Sequence, residues 1–416
     1  MTGSLWRILR NSAGLVAVRV LTKLATTLLM ILVARLLGEE EFGVLSSILA
    51  YAAMFGVVQE MGLTVPMIRR IAFRDRDPGV LVGEVLGLKL FLSLPALAGF
   101  FLVAGWMGVQ VSVTALFTAA MVLEVLNVSL ARSFEGVERV NDIAIVLITE
   151  RVTLLAGGTF AVAGGWGLTG LGVAFVAAYL LSFFTAIQVW RRRHSPVVMV
   201  ISWGRAKVLL REALPFVGAA VFSIIYTRID VILLTAWRSS AEVGLYTAAF
   251  RVTEAELFIP TAIVAAMFPA LTRTFSEDFR SFMILLRRSA VVVALVGVTI
   301  AGATWFAADI VIDLLYGRAY APAGGALRIL SWMVPLYYVN HLAGSALIAM
   351  GREHYSTLTL AVGALGGTVL NFLLIRTYGQ LGSASARVLT EILCFLIQTG
   401  FLLLFLRSRR RAAVAS

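Results

Sequence analysis

The 416-residue sequence is poor in the residues that most chemistry needs, with one cysteine, three histidines and only 14% charged side chains. The lone Cys394 excludes an intramolecular disulfide and, set deep in the last apolar run, reads as a small core residue. His194, His341 and His354 are scattered, and neither an HExxH nor a CxxC pattern occurs, so a metal site is not expected. No GxxxxGK[ST] loop is present. Gly165-Trp166-Gly167-Leu168-Thr169-Gly170 fits GxGxxG, but it falls between two apolar runs without the preceding strand that a dinucleotide site requires, and no cofactor is expected.

What the chain does have is apolar surface. Hydrophobic residues make up 60% of it, and a soluble domain would carry roughly a quarter charged residues. Such a chain takes lipid as its solvent. Hydropathy with turn and charge punctuation predicts spans over 13–36, 43–66, 80–105, 110–131, 141–163, 167–190, 212–236, 243–270, 289–307, 323–350, 355–376 and 382–406. The fold class is therefore an all-α integral membrane protein of about twelve helices, with no room for a soluble domain. The first apolar run is too long for a cleaved signal peptide and reads as an uncleaved span.

The net charge of +12 suggests nucleic acid until its placement is followed. Alternating connectors put 23 Lys and Arg on the side of the N-terminus, among them Arg69, Arg70, Arg191, Arg192, Arg193 and Arg409, against Arg35, Arg238, Arg318 and Arg376 on the other. This is the positive-inside asymmetry of a protein with both termini cytoplasmic. Basicity here is topology, and nucleic acid is not an expected partner.

Two internal matches divide the chain. Glu40-Glu41-Phe42-Gly43-Val44-Leu45 matches Ala241-Glu242-Val243-Gly244-Leu245-Tyr246 at an offset of 201, and Gly167-Leu168-Thr169-Gly170 matches Gly379-Gln380-Leu381-Gly382 at an offset of 212. Two parallel six-helix repeats follow, a bundle over 1–190 and another over 212–416, joined by a basic linker at 191–211.

Charges inside the spans are the functional signal, because each costs about 2.5 to 3.5 kcal/mol at the bilayer centre on insertion scales. They must pair or line a wet cavity. Arg19 and Lys23 share one face of the first span, about 9 and 15 Å above its start, with no acid within a turn on that helix. With Lys89, Arg228, Arg251 and Arg387 they are the candidate contacts for an anionic ligand, since Arg offers bidentate and Lys point-charge contact. Arg251 with Glu254 and Arg387 with Glu391 are spaced to pair within their helices. Asp230, Glu254, Glu150 and Glu391 are deep enough to carry a coupling proton or cation, or to neutralise a neighbouring Arg. Glu124, Arg151 and Glu256 also fall within spans.

Three stretches carry a family resemblance: Ala34-Arg35-Leu36-Leu37-Gly38 running into Glu41-Phe42-Gly43; Asp230 followed by Val243-Gly244-Leu245-Tyr246-Thr247-Ala248-Ala249-Phe250-Arg251 and Phe268-Pro269; and Tyr316-Gly317-Arg318-Ala319-Tyr320-Ala321-Pro322-Ala323. Together they resemble the polysaccharide-exporter branch, the oligosaccharide flippases, of the superfamily that also holds multidrug extruders and peptidoglycan-precursor flippases. The resemblance implies a V-shaped pair of bundles, similar to the multidrug and toxin extruders, in a bacterial or archaeal plasma membrane. It implies alternating-access export of polyprenyl-diphosphate oligosaccharides for O-antigen, capsule or exopolysaccharide. Its partners would then be the lipid-linked oligosaccharide, membrane lipid, an H+ or Na+ counter-ion and polysaccharide assembly proteins.

Other readings fit less well. A drug extruder of the same fold calls for an acidic cavity, against which the eight basic residues within the spans argue. A peptidoglycan-precursor (lipid II) flippase usually carries two further C-terminal spans. An enzyme acting on lipid carriers needs a sizeable outer loop, and the longest here, 308–322, is too short to fold by itself.

Overall fold

A computed structural model describes residues 2–74, 76–199 and 202–415, with side chains at 18 and over 21–409 except 75, 140, 200 and 201. The described residues are almost entirely helical. Nine helical stretches among them are long and apolar enough to cross a membrane. Two of these are each a pair of helices: α1 (Thr2–Glu60) is broken at Gly38 (φ 83°, ψ 172°) and the last helix, α13 (Glu353–Ala415), at Gly379 (φ 54°, ψ −131°). A positive φ at these corners is cheap for glycine alone. A further stretch is formed by α11 (Ala323–Ser331) and α12 (Met333–Ala349), which meet around Trp332. There Pro335 cannot donate to the Ser331 carbonyl four residues back. Counted this way the described residues contain the twelve expected spans.

Several helices run past their expected ends, and one span stops short. The second span was expected to reach residue 66, but its helix stops at Glu60, and Met61 and Gly62 turn left-handed before a short helix, α2 (Thr64–Ala72). The cause is local: Glu60 Oε1 accepts from Thr64 N at 3.1 Å, so the acid caps the next helix instead of extending its own.

The remaining helices are α3 (Pro78–Trp106), α4 (Val111–Gly136), α5 (Val140–Ala163), α6 (Gly167–Arg191), α7 (Trp203–Trp237), α8 (Ser240–Glu256), α9 (Phe258–Glu277) and α10 (Phe279–Tyr316). α10 shows how lipid selects such helices. Phe282, Leu286, Ser289, Val293, Gly297, Ala301, Thr304, Ala308 and Ile312 recur every three or four residues and are buried. The opposite face exposes Val291, Leu295, Val298, Phe306, Ile310 and Leu314, apolar on both sides as a membrane helix must be.

The chain forms two compact units, Met1–Val221 and Phe222–Ser416. The matched segments of the repeat meet within each. In the first, the Glu41 carboxylate lies beside Gly167 at the start of α6, whose φ is 54°. In the second, Glu242 Oε2 accepts from Gln380 N at 3.1 Å, next to Gly379, whose φ is also 54°. An acid placed at the positive end of a helix compensates the amides a corner leaves bare.

In the first unit the segment after α6 lies against α3. Ser195 donates its hydroxyl to Asp77, which caps α3 by accepting from Gly79 N and Val80 N at 2.9 and 3.1 Å. The Ser195 hydroxyl holds the Asp77 carboxyl below the usual carboxylate range. Trp190 Nε1 donates to Ser195 O at 3.2 Å, and Arg205 pairs with the buried Glu84 at 2.9 Å. The fit depends on two glycines one turn apart: a Cβ on Gly79 would come within 2.5 Å of Ser195 O, and one on Gly83 would overlap the Val198 carbonyl.

Gly83→Ala tests this packing. In an unobstructed helix the change stabilises by up to about 1 kcal/mol, whereas forcing a methyl into a filled contact costs about 1 to 3 kcal/mol. The purified protein should therefore melt at a lower temperature, and Gly105→Ala, on the same helix with open space around it, should not lower it.

Candidate functional site

The structure sorts the intramembrane charges by what holds them. Arg19 lies outside the described side chains, and Lys23 is partly buried on α1. Lys89, on α3, is fully buried and donates to the Glu60 carboxylate, to Thr64 Oγ1 at 2.8 Å and to Ser129 Oγ at 2.6 Å. All three ammonium donors are used. The residue ties α3 to α2, α4 and the end of α1, and nothing in its geometry faces a ligand.

Arg387 is likewise enclosed. Its Nη1 donates to the Tyr226 carbonyl, and its guanidinium lies 4.6 Å from the Tyr226 ring and 5.4 Å from that of Phe250. The pair with Glu391 that the spacing allows does not form as a direct ion pair among the described residues. Glu391 accepts from the Tyr226 hydroxyl and from Asn340 Nδ2 at 3.2 Å. Asp230, at 1% exposure, accepts from Tyr246 OH at 2.5 Å. Glu150, in the first unit, accepts from Asn127 Nδ2 at 2.6 Å and pairs with its neighbour Arg151 at 3.1 Å.

Arg228 and Arg251 are different. Both are only partly buried, and they stand close enough to repel each other, with Tyr316 alongside. Arg251 pairs with Glu254 at 4.0 Å, as its spacing predicts, but its Nε is buried without an acceptor. Among the described residues Arg228 makes no ion pair. Two like charges and a single paired acid leave a net positive spot that an anion would fill.

Glu391, of the four candidate carboxylates, lines a cavity. This space, of about 250 Å³, is bounded by Tyr226, Asn340, His341, Ser356, Glu391 and Gln398. Asn340 Oδ1 and Ser356 Oγ are buried there without partners among the described residues. A carboxylate among neutral oxygens suits a proton or a monovalent cation. Asn340 and Gln398 were not singled out from the sequence, although amides inside apolar runs are a readable signal. Tyr226 carried none. Among the described residues no group of three or more His, Cys, Asp and Glu could hold a metal ion.

The Lys89 geometry predicts stability rather than binding. Lys89→Met should leave Glu60 uncompensated and cost about 2 to 3 kcal/mol, below the full price of breaking a buried pair because Glu60 keeps some exposure. Thermal unfolding checks this. A Lys89→Met protein that melts normally and fails only in transport would return the residue to the ligand.

Residues 8–275 match the polysaccharide biosynthesis protein family. A probable low-salt glycan biosynthesis flippase of Haloferax volcanii, Agl15, is 22% identical over 367 residues, covering 86% of this chain and 75% of the relative. Among solved structures, the lipid II flippase MurJ in an inward-closed conformation superposes with a TM-score of 0.73 at 12% identity, over 92% of this chain and 86% of MurJ. An inward-facing multidrug resistance MATE family transporter does so with a TM-score of 0.70 at 16% identity, over 93% and 96%. The chain belongs to the polysaccharide biosynthesis protein family, and it is a multi-pass membrane transport protein of that family, not a catalyst.

Proposed function

We propose that the protein flips a polyprenyl-diphosphate-linked oligosaccharide from the cytoplasmic to the outer leaflet of a bacterial or archaeal plasma membrane, for polysaccharide assembly, by alternating access driven by an H+ or Na+ gradient. The observation that carries this reading is Arg251, whose Nε is buried with no acceptor among the described residues and whose ion pair with Glu254 is 4.0 Å long, with the charge of Arg228 acting on it. Within a membrane, two guanidiniums that feel each other's charge and are short of acceptors suit a diphosphate and repel a cationic drug. In the N-terminal unit the corresponding candidates are Arg19 and Lys23. Glu391, facing its oxygen-lined cavity, is the candidate for the driving ion. The glycan named for the Haloferax relative is in keeping with this cargo.

Each arginine should contribute about 1 to 3 kcal/mol to headgroup binding, or roughly five- to a hundred-fold. In vesicles loaded with a fluorescent lipid-linked oligosaccharide, Arg228→Ala and Arg251→Ala should each slow flipping by that factor. Glu391→Gln should flip at the same rate with or without an imposed gradient. Full gradient-driven rates in all three variants, made at normal levels, would remove the basis for the reading.

The orientation has its own test. With both termini cytoplasmic, a cysteine replacing the exposed Trp166 should react with an impermeant maleimide added to intact cells, and one replacing the exposed Met199 should not. The reverse pattern would invert the protein in the membrane.

A further inference from the structure

The apolar stretch Ser240–Glu277 is continuous in sequence, yet its helix lapses at Leu257 between α8 and α9. Pro260 explains the break. Having no N–H, it cannot donate to the carbonyl of Glu256 four residues earlier. Tyr338 OH, from α12, donates to that carbonyl instead, at 2.7 Å. The carboxyl of the same residue turns toward α10, where Thr304 Oγ1 donates to Oε1 at 2.5 Å. Its other oxygen, Oε2, is buried and takes no partner among the described residues.

The four carboxylates that the sequence singles out are compensated. Glu150 has Arg151 and Asn127, Glu254 has Arg251, Glu391 has Tyr226 and Asn340, and Asp230 has Tyr246. Glu256 faces Thr304 from α10 and Tyr338 from α12, and the nearest charges on its own helix, Arg251 and Glu254, face each other. Among the described residues no charged group of α11 or α13 forms an ion pair or hydrogen bond with it. A carboxylate in lipid with one oxygen bare is held at a heavy electrostatic cost unless something neutralises it. Both neighbouring hydroxyls already donate to this residue, which leaves Oε2 as the vacant position. A proton fills it by forming a single O–H bond, taken from hydronium and returned to water on release.

We propose that Glu256 is a proton-binding site of the C-terminal unit, distinct from the Glu391 cavity, set at a proline break in a membrane helix. This rests on the transport reading for its purpose: loading and unloading Oε2 would couple proton movement to the repacking of α8 and α9 against α10 and α12.

The test reads the chemistry without any substrate. The purified full-length protein is treated with dicyclohexylcarbodiimide, which attacks protonated carboxyls in apolar surroundings, over a range of pH with and without sodium, and the adducts are mapped by mass spectrometry. Glu256 should be modified, more at acid pH, and to the same degree with sodium present. Glu256→Gln should lose that adduct, release fewer protons to an indicator dye on alkalinisation, and melt as the wild type does. An unmodified Glu256 at every pH, or one shielded by sodium, overturns the proton site. Because no oligosaccharide is present, that failure would leave the proposed cargo untouched, and a Glu256 that labels as expected in a protein unable to flip lipid-linked oligosaccharide would sink the cargo alone.

Discussion

Lipid offers no hydrogen bonds, so each place where a membrane helix is interrupted must be satisfied by the protein itself. That constraint accounts for the position of several acids in this chain. Glu41 lies at the start of α6, Glu242 at the corner within α13, Glu60 at the gap before α2, and Glu256 at the proline break before α9. Each stands where backbone groups lose their helical partners. Acids in mid-helix, such as Asp230, Glu150 and Glu391, are instead held by hydroxyl or amide donors from neighbouring helices. The charges are thus part of the architecture before any of them is available for transport.

Much of this was legible in the sequence, for reasons that differ by element. The spans follow from hydropathy, and the repeat surfaced because the same corner is built twice with the same glycine and acid. The Arg251–Glu254 pair follows from helical spacing. The Lys89–Glu60 pair was hidden, because its partners come from different helices and meet only after packing. Arg387 misleads for the same reason: an acid sits one turn away, but the Tyr226 carbonyl and ring from α7 claim the guanidinium. The segment at 191–211 read as a linker from its charge, while the spacing of Gly79 and Gly83 on α3 was the overlooked sign that something packs closely there.

A transporter has to leave some interactions incomplete, since a ligand can shift an equilibrium only by binding one state better than another. The buried groups that are fully satisfied, Lys89 above all, define what stays fixed. Groups left short of a hydrogen-bond partner among the described residues occur in both units, Gln59 and Asn127 Oδ1 in the first and Arg251 Nε, Asn340 Oδ1 and Glu256 Oε2 in the second.

The strap of residues 195–198 across α3 also bears on the order of biosynthesis. Helices α1 to α6 emerge from the ribosome before it, yet α3 keeps a bare glycine groove and an Asp77 without its hydroxyl donor until the strap arrives. The strap is therefore made after the six spans it closes and before any helix that lies wholly in the second unit. A released chain that ended just short of Ser195 would keep all six spans and leave the seam along α3 open.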